Sequence, residues 1–465
     1  MLLGFISFYP TYCAENIPTL LSIAMLTFFN QNRFRWLLLS LITLLTVVFL
    51  SFNPLPVLGQ QQAQIEVDFA NRQTDIHSMS GFLYGATAEN PPESIIQPLQ
   101  PNLWRTSWFN AYPKLTGLNA QFQLLLSDTW GYGKGNRPWP YKDYPAWEAH
   151  VKKLAQQHKN KKIIWDVWNE PDLKDPFWNG SRQQFFETYK RAYTVLRQEL
   201  GPTAIIGGPS ITKYDKGFIT EFLDYCKDNN LEVNFLSWHE LNDNAIASIT
   251  GHINDARKSF QQNPKYSSLK IQKLYVNEII GPTAQYRPAE ILGYLYYTEQ
   301  GKADGACKAC WTPNAGGKNN CFNESLDGLV TPGQAAPRAG WWVYKAYADG
   351  FNSRVVSRSN NPKVVALASQ SDGTKQAQVL FGYFQQGNSP GTSAVVLTLK
   401  NLQQLGLAQS GQPLTFTIKR IPNAEEKVIQ QLTTLKQEQI AVTNETVRLT
   451  IPNIKLHEAY LLSIS

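Results

Sequence analysis

Two short stretches place carboxylates where chemistry could use them. Residues 163–173 read IIWDVWNEPDL and residues 274–279 read LYVNEI. Each is a run of β-formers that leads to a glutamate, Glu170 or Glu278. A carboxyl group beside tryptophan in a partly dry mouth has its ionised form disfavoured, so it holds a proton near neutral pH. That is what a general acid needs. A second carboxylate across the same mouth, in a more polar setting, stays ionised and can attack as a nucleophile. Pro171 has no N–H to give to a ladder and stops the first run. Alternation sets Ile164, Asp166, Trp168 and Glu170 on one side and Ile163, Trp165, Val167 and Asn169 on the other. A bulge near the end would aim both Asn169 and Glu170 into the mouth.

Such a mouth needs a scaffold. From Gly81 onward the apolar runs are FLYGAT, NLWRTSWF, FQLLLSDTW, KIIWDVWNE, AIIGGPS, VNFLSWHE, LYVNEI and GACKACWT. Near-continuous apolar runs suit parallel strands covered on both faces. Between several of them lie helical patterns, among them SRQQFFETYKRAYTVLRQEL, with Ser181 as a cap. This alternation over residues 81–350 predicts an α/β fold, a (β/α)₈ TIM barrel. A doubly wound open sheet would want a Gly-rich phosphate loop after its first strand, and none is present. After about Phe351 the runs VVALASQ, AQVLFGYFQ, SAVVLTLK, LTFTIKR, TVRLTI and AYLLSI are split by turn residues. They predict a small all-β sandwich over 351–465. Residues 60–80 form a linker whose strand, QIEVDF, could join that sandwich.

The barrel reading selects residues, because barrel active sites form at the C-terminal strand ends. There stand Arg105 on strand two, Asn169 and Glu170 on strand four, and Trp238, His239 and Glu240 on strand six. Asn277 and Glu278 end strand seven, and strand eight gives Trp311.

Composition narrows the rest. The chain has 465 residues, too many for one small core, and a net charge of +7 that is scattered and not gathered into a basic stripe. Nucleic acid is therefore not an expected partner. Residues 1–59 read as an export signal or an N-terminal membrane anchor. Arg33 and Arg35 precede an uncharged run, Trp36 to Phe52, followed by NPLPVLG. The expected location is exported, periplasmic or extracellular, with residues 36–52 as the means of any membrane attachment. Cys307, Cys310 and Cys321 lack a fourth ligand for zinc nearby. A disulfide such as Cys310–Cys321 and free packed thiols are the two readings.

WNEPD on strand four, an upstream Arg, WH on strand six, a Glu closing strand seven and a Trp on strand eight resemble a clan A glycoside hydrolase. WNEPDL followed by FWNGSRQQFFETYKRAY and IIGGPS most resembles family 39, which includes β-xylosidases and α-L-iduronidases. The resemblance implies a retaining glycosidase with a carbohydrate substrate and no cofactor or metal. It assigns Glu170 as acid/base and Glu278 as nucleophile. It implies that Asn169 bonds the sugar 2-OH and that His239 bonds the nucleophile or a sugar hydroxyl. Arg105 would keep Glu278 ionised, Trp311 would form a platform under the ring, and Trp238 and Glu324 would join the substrate site. The alternatives are a transglycosylase that remodels exopolysaccharide and a catalytically inactive carbohydrate-binding barrel.

Overall fold

The computed structural model describes residues 62–134, 137–371, 376–385, 391–405, 413–442 and 446–465. The leader, including Arg33, Arg35 and the 36–52 run, lies outside the described residues. Among the described residues no helix is long and apolar enough to cross a membrane.

A first strand, β1 (Ala63–Arg72), precedes eight strands that close into a barrel. These are β2 (Gly81–Leu83), β3 (Leu103–Thr106), β4 (Gln121–Leu125), β5 (Ile163–Asp166), β6 (Ile205–Ile211), β7 (Phe235–Glu240), β8 (Lys273–Ile279) and β9 (Gly305–Lys308). Every neighbouring pair is parallel, and Phe82 opposite Lys308 closes the ring. The expected (β/α)₈ barrel is therefore present, one strand for each apolar run.

Helices cover the barrel, and their caps are local. In Arg182–Leu200 the Ser181 hydroxyl accepts from the Gln184 N–H at 3.2 Å while the Gln184 side chain accepts from the Ser181 N–H at 2.8 Å. This reciprocal box satisfies two donors that a helix start otherwise leaves bare. Phe185, Tyr189, Ala192 and Leu196 of that helix are buried against the strands.

Barrel side chains sort by the pleat. Leu103, Ile164, Phe235, Tyr275 and Cys307 share one apolar cluster, whereas Trp104, Trp165, Leu236, Leu274 and Val276 belong to the larger cluster with the helices. The first set fills the barrel and the second cements its wall.

Eight further strands follow the barrel: β10 (Arg354–Ser359), β11 (Val364–Ser371), β12 (Gln376–Tyr383), β13 (Ala394–Lys400), β14 (Pro413–Ile421), β15 (Thr433–Ala441), β16 (Thr446–Pro452) and β17 (Glu458–Ile464). With β1 they make one nine-stranded sheet in the order β15-β14-β17-β12-β11-β10-β1-β13-β16. Only the β1–β13 pairing is parallel. The two layers of a sandwich are thus parts of one curled, mostly antiparallel sheet. Its core joins Ile65, Val67, Phe381, Leu397, Phe416 and Leu449, from strands far apart in that order. β1 alternates cleanly, with Ala63, Ile65, Val67 and Phe69 buried and Gln64 and Glu66 exposed.

The sheet packs on the barrel helix Pro288–Gln300. Glycines permit the approach: a Cβ on Gly382 would lie 3.1 Å from Ala289, and one on Gly293 would lie 3.2 Å from Phe384. Arg354, buried in the seam, bonds both oxygens of Glu299, at 3.1 and 3.3 Å.

Candidate active site

The barrel's C-terminal mouth is organised by one guanidinium. Arg105 points inward from β3 and is fully buried. Its Nε donates to Asp166 Oδ2 at 2.8 Å, its Nη1 to Glu278 Oε1 at 2.7 Å and its Nη2 to Asn169 Oδ1 at 2.8 Å. A planar fork with fixed donors is suited to holding three groups in a set geometry.

Asp166, the last residue of β5, is the anchor beneath. It accepts from Gln123 at 3.2 Å, from Ser210 at 2.8 Å and from Asn277 at 3.2 Å, in addition to Arg105. Ser210 in turn lies 2.9 Å from the Ser237 hydroxyl. Strands β3 to β8 each place one polar residue in this layer, directly above the apolar filling. Sequence reasoning used Asp166 only in the alternation. Its signal was an acid closing an otherwise apolar strand, a position that in a buried barrel demands a cation.

Glu170 reaches the mouth by a turn, not by the bulge expected on its strand. β5 ends at Asp166, and Glu170 adopts φ of +49°. A left-handed conformation at a non-glycine residue costs about 1–2 kcal/mol, and here it re-aims a carboxyl. The Glu170 N–H is tied to the Ser210 carbonyl at 2.9 Å. Alternation also fails past Asp166. Val167 and Trp168 both enter the helix-side cluster, where Trp168 packs against Trp147 and Trp178.

Glu278 is placed by a true bulge. Trp238 pairs with Val276, but His239 pairs with Glu278, so β8 carries one extra residue there. The slip lets the successive residues Asn277 and Glu278 both contribute to the site. The same pleat sends Trp238 the other way. It is fully buried on the helix side, and its indole N–H donates to Glu240 at 2.9 Å. Trp238 is therefore not among the residues brought together at the mouth.

His239 sits between the two glutamates. Its Nδ1 is 3.1 Å from Glu170 Oε1 and its Nε2 is 3.7 Å from Glu278 Oε1. Burial lowers its pKa to about 4, so the ring is neutral. Its Nε2 is buried and without a hydrogen-bond partner among the described residues.

Trp311 lies just past β9, half-buried, with its indole bonded to the Ile280 carbonyl at 2.9 Å. Glu324 accepts from the Thr87 hydroxyl at 3.1 Å, away from Glu170 and Glu278 in its bonding. Cys310 and Cys321 form a disulfide, with Cα atoms 5.1 Å apart, and Cys307 is a free buried thiol.

The electrostatics follow from burial and from which group the arginine touches. Burial pushes Glu170 up to about 7, opposed by Arg105 at a distance. Burial also raises Glu278, but the directly bonded Arg105 pulls the other way. Two close carboxyls cannot both ionise freely. The charge rests on the one that holds the guanidinium, Glu278, and the proton on Glu170.

Glu170, His239 and Glu278 each offer a ligand atom within 4.8 Å of the others, a spacing that could hold a metal ion. Arg105 already supplies a cation to this group, 2.7 Å from Glu278 Oε1. The donor set therefore fits proton transfer better than metal ligation.

The fold is thus a parallel eight-stranded barrel with Glu170, Glu278, His239 and Arg105 gathered at its C-terminal mouth. Residues 127–278 match the model for glycosyl hydrolases family 39. A β-xylosidase of Caldicellulosiruptor saccharolyticus is 32% identical over 130 residues, 26% of this chain and 26% of that protein. A β-xylosidase of Geobacillus stearothermophilus is 30% identical over 115 residues, 23% of this chain and 22% of that protein. The chain thus spans about a quarter of the length of these curated relatives. In fold, the GH39 enzyme from Xanthomonas axonopodis pv. citri matches with a TM-score of 0.60 at 15% identity, over 89% of this chain and 99% of that one. N2152 from Neocallimastix frontalis matches with a TM-score of 0.70 at 19% identity, over 87% of this chain and 100% of that one. The chain is a clan A glycoside hydrolase relative, most like family 39, as its motifs suggested.

Proposed function

We propose that the protein is an exported glycosidase that cleaves O-glycosidic bonds of oligo- or polysaccharides with retention, through a covalent glycosyl-enzyme. The observation that carries this reading is the pair of glutamates, with one oxygen of each within 4.8 Å of the other. Retaining enzymes hold their carboxyls about 5–5.5 Å apart, whereas inverting enzymes leave about 6.5–9.5 Å for a water.

In this mechanism Glu170 gives its proton to the leaving oxygen while Glu278 attacks the anomeric carbon. Glu170, now ionised, takes a proton from the water that releases the sugar. Arg105 holds Glu278 in place through the 2.7 Å bond. Because Arg105 donates to Asn169 Oδ1, the Asn169 amide is turned with its N–H₂ free, and it serves as the donor to the sugar 2-OH. His239 Nε2 takes its missing partner from a substrate hydroxyl. Trp311 provides an apolar surface near the ring.

Export through residues 1–59, with membrane attachment by 36–52 if the leader is retained, is supported by the Cys310–Cys321 disulfide. Such bonds persist in oxidising compartments. The names of the curated relatives make xylosides the first substrates to try.

The test is trapping with a 2-fluoro glycosyl inhibitor followed by peptide mapping. The label is expected on Glu278. A label elsewhere, or hydrolysis that releases an inverted sugar, removes the reading.

A further inference from the structure

Asp128 is a carboxylate that the mechanism above does not use. It follows β4 in the short helix Leu126–Trp130, on the same C-terminal rim as Glu170 and Glu278. It acts electrostatically on both glutamates and on Arg105. The Arg105 bonds run to Asp166, Glu278 and Asn169, and Asp128 feels its charge without a hydrogen bond from it.

Hydroxyl groups hold Asp128 instead. Tyr84 donates to Oδ1 at 2.8 Å and Tyr132 donates to Oδ2 over a short contact, while the Ser127 hydroxyl, 3.0 Å from both Oδ2 and the Tyr132 oxygen, has one hydrogen for the two. Proton counting makes this arrangement specific. A phenol has one hydrogen, so Tyr84 spends it on Asp128, and Ser107, 2.8 Å from the Tyr84 oxygen, must donate to it. A carboxylate offers about four acceptor positions. At most three are filled by the protein, which leaves at least one on a half-buried group at the mouth.

The same tyrosine belongs to an aromatic wall. Tyr84 meets Trp108 edge-on at 5.2 Å and Phe322 at 5.6 Å, and Trp108 lies 5.8 Å from Phe322. Phe322 is 43% exposed, an unusual state for so large an apolar ring. It follows Cys321, so the disulfide to Cys310 anchors it beside the end of β9. An open acceptor beside an exposed aromatic face has the chemistry of a sugar site: the carboxylate takes a hydroxyl and the rings take the C–H face. Glu170, on the β5 side, protonates the leaving group. The ends of β2, β3 and β4, with the loop after β9, then face the sugar that is retained.

We propose that Asp128, positioned by Tyr84 and Tyr132, is a specificity-determining acceptor for a hydroxyl of the glycone, a neutral sugar ring that rests against Trp108 and Phe322. This rests on the glycosidase reading for the identity of the glycone. A hexuronide would bring its own carboxylate toward Asp128 and is disfavoured by like charge.

The test uses the full chain and two probes. Aryl xylosides and their singly deoxygenated analogues report on turnover, and a neutral xylose-shaped iminosugar reports on binding by calorimetry whether or not turnover occurs. A hydrogen bond to a charged acceptor corresponds to about 10–100-fold. Asp128→Ala should therefore lose about that factor in kcat/KM, and one deoxy analogue that is poor with the parent protein should suffer no further loss with the variant. Asp128→Asn keeps the shape and should show the same hydroxyl-specific loss. Tyr132→Phe keeps the carboxylate and should raise KM severalfold with kcat little changed. Equal deoxy penalties in the parent and both Asp128 variants overturn the assignment while leaving the glycosidase reading intact. Iminosugar binding that weakens tenfold or more in Asp128→Asn, in a protein that turns over no aryl glycoside, upholds the site and sinks the hydrolase. Iminosugar binding that is absent, or unaffected by Asp128→Asn, sinks the site.

Discussion

Two buried arginines show what separates a chemical centre from a structural one. At the barrel–sheet seam, Arg354 meets Glu299 through both carboxylate oxygens, and Tyr347 completes the set by donating to Glu299 at 2.6 Å. One positive charge faces one negative charge, and Arg354 Nη2 also donates to the Tyr347 carbonyl at 3.3 Å. At the mouth, Arg105 is just as buried but serves three residues, with Glu170 and Asp128 also in its field. Carboxyls outnumber the cation, so one of them is driven to keep its proton. Buried polar atoms there, His239 Nε2, Asn277 Oδ1 and Gln123 Oε1, lack partners among the described residues. The seam is closed, whereas the mouth is held open to a proton and to a ligand. Burial alone does not distinguish the two, but the charge balance does.

The largest effect should come from removing the group on which the charge rests. Glu278→Ala should abolish turnover of aryl glycosides, and azide should restore it with inverted product, read by chiral analysis or NMR of the released sugar. Next is the group that holds the proton. General acid catalysis contributes about 10²–10⁴-fold, so Glu170→Ala should lose that much on glycosides with poor leaving groups and far less on activated aryl ones. In the parent, kcat/KM should fall as pH rises through about 7, because the acid is then ionised. The variant should lose that limb.

Breaking the seam should do the opposite. Arg354→Met leaves Glu299 buried without its cation, and breaking a buried pair costs about 3–5 kcal/mol. Chemical denaturation should show that loss, while kcat per folded molecule stays near the parent value. A variant that kept its stability but lost kcat would erase the contrast between the two arginines.

A smaller effect has a sign that can be worked out. The Glu170 pKa is raised on folding, from 4.5 to about 7. Between those values the folded protein holds a proton that the unfolded chain releases, so stability falls as pH rises through that window. The loss is on the order of 3–4 kcal/mol, at about 1.4 kcal/mol per pKa unit. Glu170→Gln removes it. The variant should match the parent near pH 4 and exceed it in stability at pH 8. Thermal melts at both pH values check this.

The contrast also explains what could be read in advance. The apolar runs located all eight barrel strands because both faces of each are covered. Glu170 and Glu278 were legible because acids at the ends of apolar strands need a reason. Trp238 misled through adjacency: it neighbours His239 in sequence, but the pleat sends it into the helix layer. The turn that aims Glu170 was hidden because nothing in Asn169-Glu170-Pro171 announces a positive φ. Asp128 was silent for another reason. Its partners Tyr84 and Tyr132 lie 44 residues before it and 4 after it, and only the folded rim brings the first of them near. Single-residue signals survive in sequence, but a site built from three hydroxyls on one carboxylate does not.

The smallest effect concerns the loop after β9, where the contrast between closed and open recurs on a local scale. The Cys310–Cys321 disulfide anchors Phe322, yet it is not the loop's only restraint. Asn320 is fully buried and bonds Tyr286 at 2.9 Å and Ser325 at 3.0 Å. Lys308, also fully buried, donates to the Asp327 carbonyl at 2.6 Å. These bonds close the loop's base as the Arg354 pair closes the seam. Reduction should therefore free the tip without unfolding the barrel, a local opening and not a global one. The Cys310→Ser/Cys321→Ser variant should keep its melting midpoint within a few degrees and its kcat near the parent value. Its KM for aryl xylosides should rise severalfold, because Phe322 no longer holds the aromatic wall in register with Tyr84 and Trp108. A large drop in midpoint instead would mean that the disulfide, not the Asn320 and Lys308 bonds, carries the loop.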